Sequence, residues 1–165
     1  MTVTLEPFQS ARDLHLLARW LHKPHVCKWW GDPERNLADA KERSPESHAL
    51  IAVSGKPVGY LRWQRVSLPE LAALGITDIP EGSVDIDILI GEQRFVGKGI
   101  GPQALRLLLE RLRTDPTISL AGMSTEVGNY AAIRAYEKAG FQRRHRYFDP
   151  GHGESWIMAI ELMAG

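Results

Sequence analysis

The chain is poor in cysteine, in surplus charge and in long apolar runs. Cys27 is its one cysteine, which excludes an intrachain disulfide framework and suits a reducing compartment. Twenty basic residues balance twenty acidic ones, so no broad basic surface invites nucleic acid, and no basic stripe interleaved with aromatics appears. No apolar stretch approaches membrane-spanning length. The opening Met-Thr-Val-Thr-Leu-Glu lacks the basic and apolar regions of a secretory signal. The expectation is a cytoplasmic protein with neither a nucleic-acid nor a membrane partner. Internal repeats and low-complexity tracts are absent. His22, His25 and Cys27 cluster in sequence, but no second cluster completes a tetrahedral set, so no metal is expected. The G-x-x-x-x-G-K-[ST] spacing of a Walker A loop is missing, and a G-x-G-x-x-G fingerprint fails because its third slot is Pro102.

At 165 residues with 44% hydrophobic content, the chain reads as one domain, 1–165, large enough for a real core. It is organised around the stretch from Val84 to Gly101. Val84, Ile86, Ile88 and Ile90 fall on one face of a period-2 pattern, with Asp85, Asp87 and Leu89 on the other. Gly97, Gly99 and Gly101 then break the strand and open an apolar helical run. Such a turn aims backbone N–H groups and the positive end of a helix dipole at an anion. Glycines suit it because positive φ is cheap and no Cβ blocks a phosphate.

Elsewhere, Val3 to Phe8 reads as a strand. Ser10 to Asp13 reads as a capping box before a helix carrying Leu14, Leu17, Ala18 and Leu21, which Pro24 ends. Trp29-Trp30-Gly31 is expected in a loop, and Asp32-Pro33-Glu34 as a helix start. His48 to Ser54 and Val58 to Val66 read as a hairpin through Gly55. Residues 67–83 read as irregular. Gly101 to Arg113 is a helix with Leu105, Leu108, Leu109 and Leu112 buried, and Asn129 to Ala139 a second one closed by Gly140. Ile118 to Thr125, Phe141 to Tyr147 and Ser155 to Leu162 are the remaining strands. The order implies an α/β fold with a mixed sheet.

Two motifs then carry a family resemblance. Arg94, Gly97 and Gly99 form R-x-x-G-x-G between a strand and a helix. Asn129-Tyr-Ala-Ala-Ile-Arg-Ala-Tyr-Glu-Lys-Ala-Gly-Phe141 is similar to N-x-x-A-x-x-x-Y-x-x-x-G-F. Both resemble motifs of the GNAT superfamily of N-acetyltransferases, over roughly Asp85 to Phe141. The resemblance implies the GNAT fold: a mixed, mostly antiparallel sheet with splayed strands 4 and 5 and about four flanking helices. It implies acetyl-CoA as co-substrate, its pyrophosphate held by Arg94, Phe95, Val96, Gly97, Lys98, Gly99, Ile100 and Gly101. By the same resemblance the backbone of Ile88, Leu89 and Ile90 would hold pantetheine and polarise the thioester, Asn129 would contact the coenzyme, and Tyr136 would bind it and protonate its thiolate.

The opening half is similar to the aminoglycoside 6′-N-acetyltransferase branch, which shares W-W-G, an acidic-proline helix start and an I-D pair, here Ile86-Asp87. That likeness implies a small-molecule amine acceptor bound by Asp87, near Trp29 and Trp30, whose rings either wall its pocket or cover the core; strand alternation puts Asp85 on the Asp87 face, and Glu126 is a further acidic contact. A polycationic acceptor wants an acidic site, for which Asp32, Asp78 and Glu81 are further candidates. The branch's D-P at the end of the fifth strand is replaced by Ser124-Thr125. Glu126, or Asp87 through a water, is then the expected base. Two alternatives remain open: a siderophore-pathway acyltransferase of the lysine or hydroxylysine type, and a coenzyme A-binding module without turnover. The chain is expected to be a monomer or a homodimer, with Leu68 to Leu74 as the candidate contact.

Overall fold

The computed structural model describes residues 1–163. Seven strands form one mixed sheet in the order β1-β2-β3-β4-β5-β7-β6. Contacts divide the chain into two compact units, residues 1–62 with 87–104, and residues 63–86 with 105 onward.

The first unit opens with β1 (Val3–Pro7), α1 (Ser10–Leu21), α2 (Pro24–Trp30), α3 (Pro33–Glu42) and β2 (His48–Val53). It also holds most of β3 (Lys56–Arg65) and the end of β4 (Val84–Ile90). Gln9, not Ser10, caps α1, although Asp13 Oδ2 still accepts the Gln9 N–H at 2.9 Å. The reach-back half of a capping box therefore forms without its hydroxyl half. Pro24 starts a helix rather than ending one: it sits in the first turn of α2, where the missing N–H costs nothing. This helix is absent from the sequence reading, and it lifts Trp29 and Trp30 out of the expected loop.

β2 and β3 pair antiparallel from His48–Arg62 to Val53–Lys56. Their two-residue turn is Ser54 (φ 49) and Gly55 (φ 83), both left-handed as a twisted hairpin prefers. Leu17, Trp20, Leu21, Val26, Ala40, Leu50, Tyr60 and Leu89 form the core of this unit. Within it His48 Nδ1 lies 2.7 Å from the Tyr60 hydroxyl. Burial, aided by Arg43, pushes the His48 imidazole down, and burial pushes the Tyr60 phenol well up, so both stay neutral in the core.

β4 departs from a single buried face. Val84, Ile86 and Leu89 are buried, whereas Ile88 and Ile90 are half-buried. Leu89 joins the first unit's core, so the strand is covered on both faces, as a central strand can be.

The second unit holds α4 (Leu68–Ala73), the start of β4, most of α5 (Ile100–Leu112), β5 (Leu120–Glu126), α6 (Tyr130–Lys138), β6 (Gln142–Asp149) and β7 (Gly153–Glu161). β4 and β5 pair parallel at Val84–Ala121 and Asp85–Gly122, and β5, β7 and β6 pair antiparallel. Leu105, Leu108, Leu109 and Leu112 are buried along α5, as the periodicity requires. The segment 67–83 is not irregular throughout. Ser67 accepts the Glu70 N–H and starts α4, and Asp78 takes Arg144 at 2.9 Å and His145 at 3.0 Å. Six α-helices are present among the described residues, against about four expected. The extra ones, α2 and α4, are only seven and six residues long, too short for periodicity to reveal.

The turn after β4 is set by a close approach. A Cβ on Gly91 would lie 2.1 Å from Trp20 Cγ, and Trp20 is fully buried. Gly91→Ala should therefore destabilise the protein by about 1–3 kcal/mol or more, read as a lower Tm; an unchanged Tm refutes the packing. Next to it, the Trp20 indole donates to Glu92 at 2.6 Å. This bond first, then Lys23 and Arg19, outweighs burial and holds the Glu92 carboxyl below its usual range. Stability from a lowered carboxyl is present above the unfolded value of about 4.3 and is lost as pH falls through the folded one. Glu92→Gln should thus be less stable than wild type at neutral pH, with the gap closing below about pH 4.3. A gap that does not narrow on acidification contradicts the assignment.

Candidate active site

In the first unit, β4 leads through Gly91, Glu92 and a 3₁₀ turn at Gln93–Phe95 into α5. Gly97 (φ 75) and Gly99 (φ 79) both adopt the left-handed conformation, which a side chain would strain. No atom stands within 4 Å of a Cβ built on Gly97 or Gly101, and at Gly99 only Gln103 Nε2 does, at 4.0 Å. Val96, Gly97, Lys98 and Gly99 are exposed, while Ile100 is buried and anchors α5. The result is an open backbone turn at a helix N-terminus, flanked by the cations of Arg94 and Lys98. That geometry fits a diphosphate. Phe95 is half-buried beneath the Arg94 guanidinium, 5.0 Å from its ring centre.

Two carbonyls of β4 are taken by side chains of α2. Trp30 Nε1 donates to Ile88 O at 3.1 Å, and His25 Nε2, as the protonated nitrogen, donates to Ile90 O at 2.9 Å. The backbone N–H groups that would polarise an acyl carbonyl are not consumed by these bonds. Trp30 therefore braces β4, and it is half-buried where it packs against the core. Trp29 is half-buried, with Lys28 Nζ 4.8 Å from its ring centre.

Asp87 is brought to Arg62, a residue the sequence reading passed over. Arg62 Nε donates to Asp87 Oδ2 at 2.9 Å, and its Nη1 to Asn36 Oδ1 at 3.2 Å and Asp39 Oδ2 at 3.3 Å. Its guanidinium lies 4.5 Å from the Trp30 ring centre. Asp39 also accepts Arg43 Nε at 2.6 Å. One signal was available in sequence: in β3 Arg62 follows Tyr60 by two positions, so it shares the face of that core tyrosine and needs a carboxylate.

The second unit carries Asp85, Glu126, Asn129 and Tyr136. Asp85 and Asp87, expected to share an acceptor, have different partners: Asp85 Oδ2 accepts Gln64 Nε2 at 3.0 Å. Glu126 lies 3.7 Å from His152 Nδ1. Thr125 is buried with its hydroxyl unpaired among the described residues, so only Ser124 of that pair is exposed. The Ser124 hydroxyl bonds the Tyr147 hydroxyl, and burial pushes that phenol up to about 12. Tyr147 was also missed, since nothing local marks an edge-strand tyrosine. Asn129 caps α6, its Oδ1 accepting the Ala132 N–H at 3.3 Å. Tyr136 is half-buried, edge-on to Phe141 at 6.5 Å.

The chain is similar to known proteins over most of its length. The family model described as an acetyltransferase (GNAT) domain matches residues 9–148. An aminoglycoside N(6′)-acetyltransferase type 1 of Klebsiella pneumoniae is 33% identical over 153 residues, 87% of this chain and 75% of that protein. A solved structure of AAC(6′)-Ib in complex with paromomycin and acetyl-CoA superposes with a TM-score of 0.77 at 31% identity, covering 98% of this chain and 94% of that one. An N-hydroxyputrescine acetyltransferase of Acinetobacter baumannii is 31% identical over 103 residues, 59% of this chain and 48% of that protein.

The Asn129 cap can be separated from any contact with a coenzyme. Without ligand, Asn129→Ala should lose about 1 kcal/mol, and Asn129→Ser, which also caps, much less. Thermal unfolding of the two variants decides; equal losses would show that the cap contributes nothing.

Proposed function

The chain belongs to the GNAT acetyltransferases and is an N-acetyltransferase with acetyl-CoA as co-substrate, and we propose that its acceptor is a primary amine of a small polyamine. The leading acceptor is the 6′-amine of an aminoglycoside. One observation carries this: 33% identity over 87% of the chain to an aminoglycoside N(6′)-acetyltransferase. A short diamine of the hydroxyputrescine kind is the second reading. It is favoured by the engagement of Asp87, Asp78 and Glu126 with basic partners, and by the partial likeness to an N-hydroxyputrescine acetyltransferase.

The proposed division of labour follows from the chemistry. A thioester reacts with a neutral amine, so the acceptor nitrogen must lose a proton before or as the N–C bond forms. As the C–S bond breaks, the sulfur must gain one. Backbone amides from Gly97 to Gly101, with Arg94, Phe95, Val96, Lys98 and Ile100 around them, hold the diphosphate. Amides of β4 between Ile88 and Ile90 orient the acyl carbonyl, and Trp30 and His25 keep that strand from shifting. Asn129 contacts the coenzyme with the amide nitrogen that its capping bond leaves over. Tyr136 gives its phenolic proton to the sulfur. Asp87, Asp85, Trp29 and Trp30 face the acceptor. Glu126, or Asp87 through a water, takes the proton of the amine. Residues 1–165 act as one domain in this scheme.

Free thiol should be released from acetyl-CoA when kanamycin-like compounds are added. Silence across a broad aminoglycoside panel would remove that acceptor class while leaving the reaction standing. Tyr136→Phe should lower kcat by about 10²-fold or more, with the KM for acetyl-CoA little changed. An unaltered kcat would exclude the phenol as proton donor.

A further inference from the structure

We propose that Arg62 sets the charge preference of the acceptor site: held against Asp87, it removes the advantage a polycation would draw from that carboxylate. The inference rests on the reading that Asp87 faces the acceptor.

Arg62 is not a side chain that swings aside. Only 16% of it is exposed, against 35% of Asp87. Its Nε bonds Asp87, its Nη1 bonds both Asn36 and Asp39, and its plane rests on Trp30. Trp30 is fixed in turn by its bond to Ile88 O, and Asn36 by bonds from its Nδ2 to Trp30 O and Asp32 O. A guanidinium held by so many partners stays where it is, because leaving would take the cation from Asp87 and break its bonds to Asn36 and Asp39 as well.

The charge count gives the consequence. Asp39 and Asp87 face Arg43 and Arg62 through contacts of 2.6, 3.3 and 2.9 Å, so the group is neutral. A site that ranks acceptors by their number of ammonium groups needs uncompensated negative charge. One ammonium can still share Asp87 through Oδ1, the oxygen that Arg62 does not take. A second ammonium finds no unpaired carboxylate in this cluster. By charge alone, this cluster therefore gives an acceptor with four or five amines no advantage over one with one or two. Removing the guanidinium without filling its place with charge would leave the cluster net negative.

The test compares acceptors rather than absolute rates. The quantity compared is kcat/KM for kanamycin and for putrescine, measured in wild type and in the variant. In Arg62→Gln the ratio of kanamycin to putrescine should rise about tenfold or more. A role confined to folding would lower both alike, and equal losses overturn the proposal. Asp87→Asn separates the two levels of the argument. It should raise the acceptor KM; if it leaves KM unchanged for both amines, Asp87 does not face the acceptor and the underlying reading fails as well. Should Arg62→Gln not fold, wild type still decides. Inhibition constants for putrescine, spermidine and spermine should agree within about threefold, whereas a gain of about tenfold for each added ammonium would overturn the proposal.

Discussion

An indole seated on a residue that has no side chain fixes the junction between β4 and the glycine turn. Trp20 fills the space a Cβ on Gly91 would need, and its N–H holds Glu92. Backbone N–H groups of Gly91 and Glu92 both reach Val58 O, at 2.8 and 3.1 Å. Trp30 and His25 grip the two carbonyls upstream. From that point the chain has one direction to take, through the 3₁₀ turn to Gly97 and Gly99, so the open amides at the start of α5 sit on a rigid base. A loop whose backbone is its ligand-binding surface needs such a base, because no side chain of its own can hold it in place.

The same helices serve the charges. α2 supplies Trp30, α3 supplies Asn36 and Asp39, and β3 and β4 supply Arg62 and Asp87. A strand arginine with so little exposure must be compensated, and two carboxylates do so here. Compensation and recognition draw on the same oxygens, so what stabilises this cluster limits what it offers a cationic ligand. The second unit repeats the pattern at its surface, where Asp78 is shared by Arg144 and His145 and Glu126 stands beside His152.

Part of this was legible without coordinates. The leucine stripe of α5, the left-handed glycines after β4, Gly140 closing α6, and the α/β order all rest on local rules of period and conformation. The strand faces were only half legible. Alternation put Ile88 and Ile90 with Val84 and Ile86, but burial follows whatever covers each face, and Leu89 is covered by the helices of the first unit. The short helices α2 and α4 escaped because seven and six residues span too few turns to show a stripe.

What the amino-acid order determined by itself is local backbone: the positive φ of Gly97 and Gly99, the longer helices, and hence a turn able to take a diphosphate. These depend on residues within a few positions of one another. Only the tertiary structure decided the partners of each charge. Arg62 meets Asp87 across 25 positions of sequence and Asn36 across 26. Whether a carboxylate is open or neutralised is a property of what long-range packing brings beside it, and no local pattern encodes that.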